Sequence, residues 1–296
     1  MNLNLTAPGK HSFDLTLNGL ARNFLVHIPS GYNGSEALPL VLVFHGAGGD
    51  AERAAGITGW NTKADLEKFF VAYPNGLPPN IERPPSFLRN PQRWNAGSKR
   101  GATSDPGADD VGFSSTIIDT VGKNYNLDST RVYATGFSNG AAMCWRLGVE
   151  LSNRIAAIGP VAGYLAIQDP HPEKVVPAIV IACLNDPLIP IDGGIVKDIW
   201  SRQERNRPSV REVVKQYAAL CGCSPEPSST QEDDGVTKIV YGPGKNGAEV
   251  VFYTIADAGH SYPGGREFLS ERIVGKPTDK LKATHEIWEF FKTRSR

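Results

Sequence analysis

The chain has 296 residues, and its 31 Lys and Arg balance 31 Asp and Glu, which argues against nucleic acid, an anionic membrane surface or a highly charged substrate as partner. Hydrophobic residues make up 40% of it, enough to bury a sizeable core, and no apolar run approaches membrane-spanning length. A neutral or weakly polar substrate fits this balance better.

The first nine residues carry neither a basic n-region nor a continuous apolar h-region, so no signal peptide is read; cytoplasmic and secreted localisation both stay open. Residues 13–17 and 24–28 alternate apolar and polar around Asn18-Gly19, which predicts an opening antiparallel hairpin. A turn-rich connector leads to 40–44, a continuous Leu-Val-Leu-Val-Phe run of the kind expected in a central strand covered on both faces. His45-Gly46-Ala47-Gly48-Gly49 follows at once, a glycine-rich loop where an open α/β sheet places ligand groups.

The spacing then predicts a helix over 60–70 and a short strand at 71–73. From 77 to about 108 the chain is rich in Pro, Gly, Arg and Asn without periodicity; connections that long tend to be functional or disordered. Within it, Trp94 either pins the loop to the body or helps wall a substrate cleft, because an unpacked Trp is expensive. Asp109 and Asp110 precede apolar residues at helical spacing and suit an N-cap and a first helical turn.

Residues 131–135 read as a buried strand and 141–147 as a helix; between them lies Gly136-Phe137-Ser138-Asn139-Gly140. A G-x-S-x-G between strand and helix is the nucleophile elbow, which lifts the serine hydroxyl above the sheet and puts the next amide at a helix N-terminus. Further strands are predicted at 155–163, 177–183, 237–241 and 249–255, a helix at 210–220 and an amphipathic end at 281–292. The alternation gives one α/β domain over 1–296, a mainly parallel central sheet flanked by helices with the hairpin at its start.

Four cysteines do not fix the compartment: Cys144 and Cys183 read as core residues, and Cys221 and Cys223 as free or bridged. No second Cys or His cluster has ligand spacing, so neither a metal nor another cofactor is expected.

A serine hydroxyl needs an adjacent base and the base an orienting acid. On this architecture the chain order is Ser, then Asp or Glu, then His, and of the six histidines only His171, His260 and His285 follow Ser138. His171 sits between prolines and His285 on the terminal helix, whereas His260 follows a strong strand in a glycine-rich loop. Asp186 is the first acid after the buried 177–183 strand. The second oxyanion donor, beside the amide of Asn139, should come from the loop after the early central strand, at the amide of Ala47; His45 itself reads as structural.

The 126–140 segment, the His45-Gly46 loop, Arg93-Trp94-Asn95, Asp109-Asp110-Val111-Gly112-Phe113, Asp186-Pro187 with Pro190, and Gly259-His260 with Pro263-Gly264-Gly265 together resemble the polyhydroxybutyrate depolymerase-like and feruloyl esterase family of α/β-hydrolases. The resemblance implies a serine carboxylic-ester hydrolase with Ser138, Asp186 and His260 on the triad positions, acting on feruloyl or acetyl groups of plant cell-wall polysaccharide or, alternatively, on polyhydroxybutyrate. It also marks departures: Ala182-Cys183 stands where a His-Gly pair is common, and Ser98-Lys99-Arg100-Gly101 where a disulfide-forming stretch is common. Trp94 and Tyr262 are candidate aromatic contacts for an acyl ring. A non-catalytic binding module on the same fold is the rival of a different class, and its mark would be a damaged triad.

Overall fold

The structure, a computed structural model, describes residues 7–97, 108–266 and 269–296. Asn18 and Gly19 both take positive φ, 50° and 79°, the backbone of a tight two-residue hairpin turn, and fold Gly9–Leu17 (β1) back on Leu20–Ile28 (β2). All seven residues of Leu38–Phe44 (β3) are buried, as their apolar run predicts. Leu40, Leu42 and Phe44 enter the core on one face of the sheet, and Val41 and Val43 enter the core on the other.

Six strands run parallel in the order Phe70–Pro74 (β4), β3, Leu127–Phe137 (β5), Ala157–Val161 (β6), Ala178–Cys183 (β7) and Val250–Ile255 (β12). The hairpin adds antiparallel to β4 at one edge, and Val236–Tyr241 (β11) with Ser229–Asp233 (β10) adds antiparallel to β12 at the other, completing a 10-stranded sheet. Helices Asp110–Asn124 (α3), Asn139–Glu150 (α4) and Val210–Leu220 (α5) pack on one face; Ala51–Thr58 (α1), Trp60–Glu67 (α2) and Ala283–Phe291 (α6) pack on the other. From β3 the chain passes to β4 on one side and then returns to β5 on the other. The carboxyl ends of β3 and β5 therefore flank a topological switch point, where such sheets bind ligands.

The helix expected over 60–70 stops at Glu67, because Lys68 turns left-handed (φ 61°) to bring Phe70 into β4. Helix α1, capped by Asp50 accepting from the Arg53 amide, was not expected, nor were β10 and a separate hairpin of Gly194–Lys197 (β8) and Glu204–Arg207 (β9). All four cysteines are buried, and Cys221 and Cys223 are not bridged to one another. The Ser98-Lys99-Arg100-Gly101 departure lies outside the described residues. No helix among the described residues is long and apolar enough to cross a membrane.

Candidate active site

Strand β5 ends at Phe137, and the next residue turns sharply: Ser138 sits at φ 57° and ψ −118°, a backbone that L-residues rarely adopt. Glycine at 136 and 140 makes that turn possible. A Cβ on Gly140 would lie 2.6 Å from the His45 carbonyl oxygen, and one on Gly136 would lie 2.9 Å from Phe44 Cβ. Gly163 has the same character beneath the serine, where a Cβ would approach the Ser138 carbonyl oxygen to 2.8 Å. The strand end, the helix start and the loop after β3 thus meet at backbone distance, with Ser138 half-buried between them.

The structure brings the three predicted side chains together across 122 residues of sequence. His260 Nε2 lies 2.8 Å from Ser138 Oγ, and His260 Nδ1 lies 2.7 Å from Asp186 Oδ2. Asp186 Oδ1 accepts from the amides of Leu188 and Ile189, each at 2.8 Å, which fixes the carboxylate in the turn after β7. With Asp186 ionised, Nδ1 carries the proton toward it and Nε2 is left as acceptor for the serine hydroxyl. The Phe137 ring lies 4.8 Å from the His260 ring and helps hold the imidazole's plane. The other downstream histidines are elsewhere: His171 pairs with Asp169 on the surface, and His285 meets Lys63.

His45 is a support within the loop after β3. Its Nδ1 donates to the Gly46 carbonyl at 2.8 Å, and its Nε2 accepts from the Gly76 amide at 3.0 Å. Burial lowers its pKa from 6.5 to about 4, so the ring is neutral at physiological pH. The Gly48 amide donates to the Gln92 carbonyl and the Gly49 amide to Gly46, while the amides of Ala47 and Asn139 are not spent on such partners among the described residues.

This has a stability consequence. The unfolded chain binds the His45 proton as pH falls below about 6.5, and the folded chain only near 4, so the contribution of the neutral ring is complete above that window and is lost on acidification through it. The expected loss is on the order of 3 kcal/mol from this residue. Urea unfolding at pH 7 and pH 4.5 should show a shallower pH dependence for His45→Gln than for the wild type, by about one proton. Equal slopes would contradict the neutral assignment.

The two aromatic candidates part company. Trp94 is completely buried in the core, its indole donating to the His45 carbonyl at 2.9 Å with Phe44 edge-on at 5.1 Å. No part of it is presented to a ligand, which corrects the expectation of a substrate contact and favours the pinning role. Tyr262 lends its ring to the cleft wall, while its hydroxyl is occupied by the Trp60 indole and the Thr284 hydroxyl.

A cleft that takes in Ala47 and His260 is lined chiefly by apolar groups, among them Ile57, Phe87, Phe137, Tyr262 and Val274, with Arg53 and Arg266 also on its wall. Sequence reasoning missed Phe87, which lies in the long aperiodic connection. Its signal is Gly48: a Cβ there would stand 2.7 Å from the Phe87 ring, so the glycine loop is shaped to receive it. The Trp200 indole donates to the Phe87 carbonyl at 2.7 Å and holds this wall from the far side. Among the described residues no group of three or more His, Cys, Asp or Glu could hold a metal ion.

Comparison with known proteins bears on the same region. The family model described as Esterase PHB depolymerase matches residues 23–196, a stretch that contains Ser138 and Asp186 and ends before His260. Feruloyl esterase B of Piromyces equi is 29% identical over 260 residues, covering 83% of this chain but only 44% of that protein. Feruloyl esterase D of Neurospora crassa is 25% identical over 284 residues, covering 93% of this chain and 83% of that one. Among solved structures, acetyl xylan esterase from Aspergillus awamori aligns with a TM-score of 0.58 at 14% identity, over 84% of this chain and 94% of that one, and the shared architecture is the α/β-hydrolase fold. Because the family model spans more than half of the sequence, the chain belongs to the Esterase PHB depolymerase family.

Proposed function

We propose that this protein is a serine carboxylic-ester hydrolase in which Ser138 is the nucleophile, His260 the general base and acid, and Asp186 the residue that orients the imidazole. The observation that carries this reading is the unbroken hydrogen-bond chain from Asp186 through His260 to Ser138, with contacts of 2.7 and 2.8 Å. His260 Nε2 takes the Ser138 proton as Oγ bonds to the ester carbonyl carbon, and the carbonyl electron pair moves onto oxygen. The amides of Asn139 and Ala47 receive that charge. Collapse of the adduct breaks the bond to the alcohol, which leaves with the proton from His260. A water then repeats the steps on the acyl-enzyme, releasing the acid and restoring Ser138.

The apolar, aromatic cleft wall suits an acyl group with a flat hydrophobic body, and two relatives carry the name feruloyl esterase. The first substrate reading is therefore a feruloyl or related acyl ester of plant cell-wall polysaccharide. The family description favours a second, a hydroxyalkanoate polyester. A turnover panel of methyl ferulate, acetylated xylan, a short p-nitrophenyl ester and a polyhydroxybutyrate film separates them. The first reading expects methyl ferulate to give the highest kcat/KM of the soluble esters. Turnover of the film with none of methyl ferulate would select the polyester, and no turnover of any together with no labelling by a fluorophosphonate would leave a binding module.

A further inference from the structure

The two proposed oxyanion donors come from loops that follow different strands, so something must set their spacing to within a fraction of an ångström for both to meet one oxygen. Trp94 touches both. Its backbone amide donates to Asn139 Oδ1 at 2.7 Å and its carbonyl accepts from Asn139 Nδ2 at 3.2 Å, a two-point clasp on the residue after the nucleophile. Its indole Nε1 donates to the His45 carbonyl at 2.9 Å, two residues ahead of the Ala47 amide. The same residue is anchored from behind: the adjoining Asn95 amide donates to Asp110 Oδ2 at 2.7 Å, and Arg146 donates to the Asn95 carbonyl at 2.6 Å. The ring is completely buried, with the Phe44 and His45 rings 5.1 and 4.9 Å away, so it has no freedom to follow a loop that drifts.

We infer that Trp94 is a positioning residue that spans the two halves of the oxyanion site, holding the Ala47 amide at a fixed distance from the Asn139 amide. This rests on the esterase reading above. The brace acts on the tetrahedral state, where the oxygen carries charge, far more than on the bound ester, so its loss should appear in kcat and leave KM nearly unchanged.

The test is Trp94→Phe, which keeps an aromatic ring and removes the indole N–H, assayed with a soluble ester and with an aryl trifluoromethyl ketone. That inhibitor adds Ser138 Oγ to its carbonyl carbon, passes the serine proton to His260 and leaves an oxyanion between the two amides. Expected are a fall in kcat of roughly 10- to 100-fold, KM within about twofold of wild type, and an inhibition constant for the ketone raised by a similar factor to the fall in kcat. Asn139→Ala opens the clasp at its other end and should show the same pattern. The double variant should be less impaired than the product of the two single losses, because both cut one brace. If Trp94→Phe does not fold, as read by near-ultraviolet circular dichroism, Asn139→Ala carries the test alone. A loss confined to KM would make Trp94 a substrate contact, and unchanged kcat and ketone affinity would make it simple packing; either result overturns the inference. Ser138→Ala runs alongside: an inactive Ser138→Ala with a normal Trp94→Phe removes only the brace, whereas an active Ser138→Ala removes the esterase reading itself.

Discussion

Replacing Ser138 by alanine is expected to lower kcat on a p-nitrophenyl ester by roughly 10⁵- to 10⁶-fold, the range in which removal of a triad nucleophile falls elsewhere. The fold should survive. Alanine keeps the Cβ that already sits at φ 57°, and the substitution removes a hydroxyl whose hydrogen bond is to His260. One such bond contributes about 1 kcal/mol, so the thermal midpoint should move by no more than a few degrees. Residual activity within tenfold of wild type, after purification that excludes carry-over, would mean that another group attacks the ester. The two quantities must be read together, because lost activity accompanied by a collapsed midpoint would report a broken elbow and say nothing of chemistry.

The second large effect is on stability. Arg22 donates to Asp110 Oδ1 at 2.7 Å, and both side chains are 1% exposed, so neither charge has water to fall back on. Arg22 also donates to the Asn75 carbonyl and lies 3.9 Å from the centre of the Phe113 ring. Arg22→Met strands the carboxylate and should cost about 3–5 kcal/mol in urea unfolding. Burial already pushes the Asp110 carboxyl above its usual range, and Arg22 opposes that push. Without the guanidinium the carboxyl is protonated in the folded state over a wider pH range, a stabilisation that is present at low pH and lost as pH rises, so the measured cost should be larger at pH 8 than at pH 5. Adding Asp110→Leu should recover most of the loss, since a buried ion pair and a packed apolar pair are often of similar stability. It should not recover all of it, because the Asn95 amide then lacks its acceptor. A single variant of wild-type stability would contradict this description of the pair.

The strands and the site residues were legible where their signal is local. Residues 40–44 are apolar without interruption because both faces of β3 are covered, and Gly136, Ser138 and Gly140 announce a turn that few other residues can make. Asp186 and His260 are candidates by chain order and by the strands they follow, and the fold brings both into one hydrogen-bond chain with Ser138. Two of the hidden strands have no periodic face. The β10 sequence Ser-Thr-Gln-Glu-Asp is exposed at every position, and β9 reads Glu-Arg-Asn-Arg, so neither carries the apolar alternation by which an outer strand is recognised. Asp109 caps α3 as its position suggests, accepting from the Gly112 amide, and Asp110 stands in the first turn as expected, but its pairing with Arg22, 88 residues upstream, has no local signal. Trp94 shows the same limit: its cost of exposure predicts that it packs against something, and only the folded chain identifies that something as the loop and the helix on either side of Ser138.

The most direct measurement is the intact mass of the protein after incubation with a fluorophosphonate, followed by peptide mapping, for the wild type and for His260→Ala. One adduct per chain is expected, located on the peptide that holds Ser138, formed rapidly by the wild type and at least a hundredfold more slowly by His260→Ala. An adduct on a different residue, or equal rates in the two proteins, would contradict this assignment.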